Sequence, residues 1–169
     1  MAQVVKPHAV SRGGNFLYVV NGDGTITVYH RAFGFFSLVH TIPPPANVST
    51  AWKYVAVDSA GLIYAVPAFV GASPGAVPNV FVFQRDAANA TFVKVGQFSD
   101  FVGDVSAIAV DQGFVYMTIE EPSSSSSGGA PFDTVRVFSS NSRGLSQIFS
   151  TIAGPSSRLT APVGIAIIP

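Results

Sequence analysis

Cysteine is absent from the 169 residues, so disulfides and thiolate metal sites are excluded. Charge is scarce: nine basic and nine acidic side chains make up 11% of the chain and cancel to a formal net charge of +0. A nucleic-acid surface or an acidic tail needs a surplus of one sign, and neither is expected. No apolar run approaches the roughly 18 residues of a membrane-spanning helix. The opening MAQVVKPHAV has no long apolar core behind a basic start, so no signal peptide is expected in this chain. No segment sustains apolar residues at a 3.6-residue spacing, which argues against helix. Neither G-x-S-x-G nor a glycine-rich phosphate loop occurs. His8, His30 and His40 lack the i, i+2 or i, i+4 partner that a zinc site on one element requires.

What the chain does hold is apolar and aromatic: 48% hydrophobic residues, with 14 Phe among them. Stacked sheets would bury much of this, and some of the surplus is expected to face a partner subunit. The stretch Tyr54 to Val66, YVAVDSAGLIYAV, alternates up to Asp58, turns through Ser59, Ala60 and Gly61, and alternates again through Tyr64. That pattern predicts two short strands and a tight turn. It returns as Ala107 to Thr118, AIAVDQGFVYMT, with Asp111 and Tyr116 in the matching places. It is also present as Pro7 to Val20, where Ser11 stands for the Asp and Tyr18 for the Tyr.

Each copy heads a four-stranded unit. In the first, Asn21-Gly22-Asp23-Gly24 predicts a hairpin turn leading into TITVYH, residues 25–30, and FFSLVHTI, residues 35–42, supplies a fourth strand stopped by Pro43-Pro44-Pro45. NVFVFQ, residues 79–84, and FVKVGQF, residues 92–98, complete the second; TVRVF, residues 134–138, and LSQIFSTI, residues 145–152, complete the third. Tyr18, Tyr64 and Tyr116 are 46 and 52 residues apart, while Tyr29, Phe83 and Phe138 are 54 and 55 apart. Insertions between the second and third strands absorb the difference, among them the linker-like PSSSSSGGAP at 122–131. A four-stranded unit repeating near every 50 residues predicts an all-β chain of β-propeller blades; the alternative is a generic all-β sandwich. The expected organisation is one propeller-like domain, 1–169, with blades at about 7–45, 54–99 and 106–153 and an extra strand at 163–168.

AVDSAGLIYAV followed by NVFVFQRD, and IAVDQGFVYMT followed by VRVFSS, resemble blades of the NHL and SMP-30/gluconolactonase-like propellers. In the NHL-like pattern the second strand often ends in an acid or amide. Here that place holds Asn21, then Pro67, then Glu120. For the SMP-30-like lactonases the resemblance implies a divalent cation such as calcium near the axis, with Asn21 and Glu120 as its nearest ligands. The residues themselves support a plainer reading, in which Asp58 and Asp111 cap turns ahead of Gly61 and Gly113. Glu120 and Glu121, adjacent on a strand end, point to opposite faces and make a poor acid–base pair.

Three blades do not close a ring, since propellers close with about four to eight. Completion is expected from outside these residues: from a second copy, on which the surplus strand with Val163, Ile165, Ile167 and Ile168 docks by ring completion or strand donation, or from the rest of a longer propeller of which the chain is a piece. Two function classes follow. One is a non-catalytic propeller unit without a cofactor that binds copies of itself and a glycan or protein ligand, contacted through Trp52, Phe69 and Phe132. The other is an SMP-30-like lactonase or esterase with a bound cation. The sequons at Asn47 and Asn89 lie in predicted loops and suit an extracellular or surface-associated protein.

Overall fold

Apolar residues on every strand give each sheet at least one face to bury, and the computed structural model buries them by stacking the sheets. The structure describes residues 6–44, 51–68, 80–98, 104–120, 134–140, 146–153 and 164–166. Twelve strands form among them, and no helix does. The first sheet holds β1 (Ala9–Gly13), β2 (Phe16–Val20), β3 (Ile26–Ala32) and β4 (Phe35–Ile42). The second holds β5 (Trp52–Val57), β6 (Ile63–Pro67), β7 (Val80–Asp86) and β8 (Thr91–Phe98). The third holds β9 (Asp104–Asp111), β10 (Phe114–Glu120), β11 (Thr134–Ser140) and β12 (Ser146–Ile152). Strands within each sheet follow chain order and run antiparallel. The predicted all-β fold of three four-stranded blades is therefore the observed one.

Register shows that the three sheets are copies. Tyr18 lies opposite Val28, Tyr64 opposite Val82 and Tyr116 opposite Val137. Leu17 faces Tyr29, Ile63 faces Phe83 and Val115 faces Phe138. A bulge falls at the same place in each sheet, just after Val28, Val82 and Val137, between the third strand and the outer one. Bulges raise local twist, and a twisted outer strand is what a propeller blade needs.

The sheets meet through their inner strands, β1 beside β5 and β5 beside β9. Period-two alternation then sends each side chain of the second sheet to one neighbour or the other. Trp52, Val55, Ile63, Ala65 and Phe81 pack with Tyr18, Val20, Ile26, Val28 and Ile42 of the first sheet. Leu62, Tyr64, Val66, Val80 and Val82 pack with Val105, Val115, Met117, Ile119 and Phe138 of the third. That is why β6, IYAVP, is buried along its whole length: a short strand covered on both faces reads as an unbroken apolar run.

Gly164–Ala166 belongs to none of the three sheets, and β1 already fills the inner position of the first. Val163, Ile167 and Ile168, the rest of the expected extra strand, lie outside the described residues.

Two turns between first and second strands depend on glycine. Gly61 has φ 83° and Gly113 φ 81°, the left-handed region, and a Cβ at either would meet nothing within 4 Å. Substitution there is penalised by the backbone alone. Gly61→Val should cost about 1–3 kcal/mol, seen as a lower thermal midpoint, whereas Gly61→Asn should stay closer to the parent because Asn tolerates this conformation. An unchanged midpoint in Gly61→Val would contradict the argument.

Candidate functional site

Polar side chains collect where the inner strands β5 and β9 begin and where β2, β6 and β10 end. Asn21 follows β2, Pro67 ends β6 opposite Trp52, and Glu120 ends β10 opposite Asp104. Asp104 and Glu120 thus form a directly opposed like-charge pair, which is unfavourable unless a cation offsets it. Lys53 supplies one: its ammonium donates to Asp104 Oδ2 at 2.9 Å and to the Val105 carbonyl at 3.2 Å. These bonds tie β5 to β9 and so the second sheet to the third. Lys53 and Asp104 escaped the sequence reading because partners 51 residues apart carry no local pattern.

Asn21 is 1% exposed. Its backbone closes the turn, with N–H donating to the Thr25 carbonyl at 2.9 Å and its own carbonyl accepting from Gly24 at 3.0 Å. Its Nδ2 donates to Thr25 Oγ1 at 3.2 Å and Thr27 Oγ1 at 3.1 Å. Asp23 Oδ1 accepts from the Thr25 hydroxyl at 2.7 Å and the Thr25 N–H at 3.0 Å. Those bonds hold the Asp23 carboxyl below its ordinary range. NGDGT is thus a hydrogen-bonded turn, as its sequence predicts.

A cation needs several oxygens converging. Asn21 Oδ1 is buried without a hydrogen-bond partner among the described residues, so one donor is available. Glu120, however, is exposed and stands in the third sheet, with the second sheet between it and Asn21. Among the described residues no three His, Asp or Glu side chains gather into a possible metal site. This set does not fit the cation implied for a lactonase. The histidines are dispersed as well: His30 packs on Phe16 at 4.9 Å and His40 on Phe92 at 5.1 Å, while His8 is exposed.

Asp58 is a cap and fully committed. Its Oδ1 accepts from the Leu62 N–H at 2.8 Å and Oδ2 from the Tyr64 hydroxyl at 3.3 Å, while its carbonyl accepts from the Gly61 N–H at 3.1 Å. Asp111 differs from the expectation. It stays in the ladder opposite Phe114, joined by the two-residue turn Gln112-Gly113, both with positive φ. The shorter turn leaves no loop for a side chain to cap.

Trp52 requires a correction. Expected to contact a ligand, it is 1% exposed. Its indole N–H donates to the Pro43 carbonyl at 3.0 Å, and its ring stands edge-on to Phe81 and Phe83 at 5.4 and 5.8 Å. Alternation turns it into the contact between the first and second sheets, where its bulk fills the space. Phe69 and Phe132 lie outside the described residues. Ile165 is half-buried. Asn89 lies in the exposed β7–β8 turn, its Nδ2 donating to Asp86 Oδ2 at 2.7 Å. That bond is the main reason the Asp86 carboxyl sits below its usual range. Asn47 is outside the described residues.

The exposed aromatics are elsewhere. Phe33, Phe35 and Phe36, with Leu38 and Val39, stand out along β4 and its turn, Phe33 at 101% exposure. A signal was present in FFSLVHTI, whose apolar residues sit at adjacent positions and therefore cannot all face one core.

Two outcomes test these assignments. Asp58→Ala removes the acceptor of both the Leu62 N–H and the Tyr64 hydroxyl and should lower stability by about 1–3 kcal/mol in urea titration. Burial raises the Tyr18 phenol above 10.0, against a weaker opposing pull from Arg85. A raised folded pKa means the contribution is complete below about pH 10 and is lost as pH rises through the folded value. Tyr18→Phe should therefore flatten the fall of the urea midpoint above pH 10; a slope equal to the parent's would show that Tyr18 ionises freely.

No family model and no curated protein matches the sequence. Solved structures match in fold. A candidate 6-phosphogluconolactonase from Bacteroides uniformis superposes with TM-score 0.64 at 13% identity, over 91% of this chain and 45% of that one. A second, from Bacteroides fragilis, gives 0.60 at 18% identity over 97% and 42%. The WD40 repeats of RRP9 give 0.58 at 14% over 91% and 40%. The chain therefore spans less than half the length of these proteins, and what it shares with them is the β-propeller fold.

Proposed function

We propose that the chain is a non-catalytic propeller unit that works by presenting surface to a protein or glycan ligand and by assembling with copies of itself. One observation carries this reading: the outer edge of the first sheet exposes Phe33, Phe35, Phe36, Leu38 and Val39, while Asp58, a buried acid, has both carboxylate oxygens committed within its own sheet. Large apolar side chains left exposed along one strand suit an interaction surface. Phe69 and Phe132 are assigned to the same ligand-contacting role. The WD40 repeats among the similar structures support the reading by fold.

The second reading, a cation-dependent lactonase of the SMP-30 type, draws support from the NHL- and SMP-30-like blade pattern and from the fold shared with two candidate lactonases. The two readings separate on metal content and lactone turnover. The purified chain is expected to hold well under one equivalent of divalent cation after dialysis and to leave sugar lactones at the buffer rate. Roughly one retained cation per chain, with lactone hydrolysis abolished by a chelator, would establish the second reading instead.

A further inference from the structure

The repeat supplies an internal control at several surface positions. Val10, Val55 and Ile108 occupy one place on the inner strand, opposite Val19, Ala65 and Met117. Val55, covered by the first sheet, is 5% exposed, and Ile108 packs into the core between the second and third sheets. Val10 has no sheet before it and is 63% exposed. Phe92 and Phe36 are likewise equivalent, opposite Arg85 and Arg31. Phe92 lies against Tyr18 and His40 of the first sheet at 6.2 and 5.1 Å, whereas Phe36 is half bare.

The far side of the third sheet shows the complementary deficit. Ile42 and Ile152 correspond, opposite Ile26 and Val135. Ile42, covered by the second sheet, is 3% exposed; Ile152 is 53% exposed. Tyr18 and Tyr64 are buried against the next sheet, while Tyr116 is half-buried. At the centres of these two outer faces Val19 and Val137 are already screened, at 7% and 8%. The bare portions are the margins of these two faces.

Resting on the self-assembling propeller reading, we infer that the outer face of the third sheet, around Ile152 and Tyr116, docks on the outer face of the first sheet, around Val10 and Phe36, of a second copy. The contact repeats the sheet-on-sheet packing made twice within the chain. Because the two faces differ, the interface is heterologous and closes only if the rotation permits. Two copies of three blades make six, within the usual range for a ring. This is face stacking, with no strand exchanged.

The test is the mass of the chain in solution. The parent should sediment as two 17.6 kDa chains. Val10→Asp and Ile152→Asp should each lose the closed dimer, because each destroys one of the two unlike faces. Mixed together, they should re-form a one-to-one pair through the two faces left intact, which also shows that neither variant is misfolded. Ala87→Ser, in the exposed β7–β8 turn of the second sheet and outside both faces, should leave the mass unchanged. A monomeric parent, or Val10→Asp and Ile152→Asp variants that remain as dimeric as the parent or fail to pair when mixed, would overturn the inference. None of these results bears on metal content or lactone turnover, so the non-catalytic reading stands or falls separately.

Discussion

In the second sheet, β6 is covered on both faces. Its alternating side chains, Ile63 and Ala65 on one side and Leu62, Tyr64 and Val66 on the other, are all buried, each side in a different core. A four-stranded sheet in this condition is stable only between two others, and the first and third sheets follow from it. Their inward faces mirror its two faces, and their inner strands fall beside its own. The remaining polar links, such as Lys53 to Asp104, are partly exposed and contribute about 0–1 kcal/mol. Direction and spacing come from apolar stacking; the ion pair only pins one end.

Much of this was legible because a propeller blade writes its register into the sequence. Tyr18, Tyr64 and Tyr116, and Tyr29, Phe83 and Phe138, were aligned by spacing, and the ladders place them opposite equivalent residues. Strand ends moved by one or two residues, as where β5 begins at Trp52 and not Tyr54. What was not legible was direction. Trp52 next to a loop reads as available, yet which face it takes depends on where the first sheet stands. Asp111 looks like Asp58, but its turn is shorter, and the hydrogen-bonding role does not carry over. The three matching bulges left no mark that alternation alone could show.

Function was less legible for a physical reason. Blade geometry consumes the polar residues that look chemical: Asn21 and Asp23 close one turn, Asp58 another, and Asp86 a third through Ala88 and Asn89. Oxygen-bearing side chains beside glycine are what tight turns require, so their presence at repeated positions says little about a site. The apolar residues that alternation does not account for are more telling. Phe33 occupies a turn position with φ 51°, equivalent in geometry to Gln112 at φ 46°. A bulky residue is disfavoured in that conformation and gains no burial there.

Edges and faces offer different routes to assembly, and the outer strands favour one of them. β4 is exposed along nearly its whole length and carries no Lys, Arg, Asp or Glu. A flat strand of that composition would invite another chain to extend the sheet. It is not flat. The bulge at Val39, repeated at Val95 and Phe149, adds an unpaired residue to each outer strand and twists it away from the regular spacing that strand addition needs. Twist that obstructs edge pairing also shapes the sheet for a neighbour of the same curvature. The bulge that protects the outer strands is therefore also part of what gives each sheet the shape that its neighbour in the stack matches.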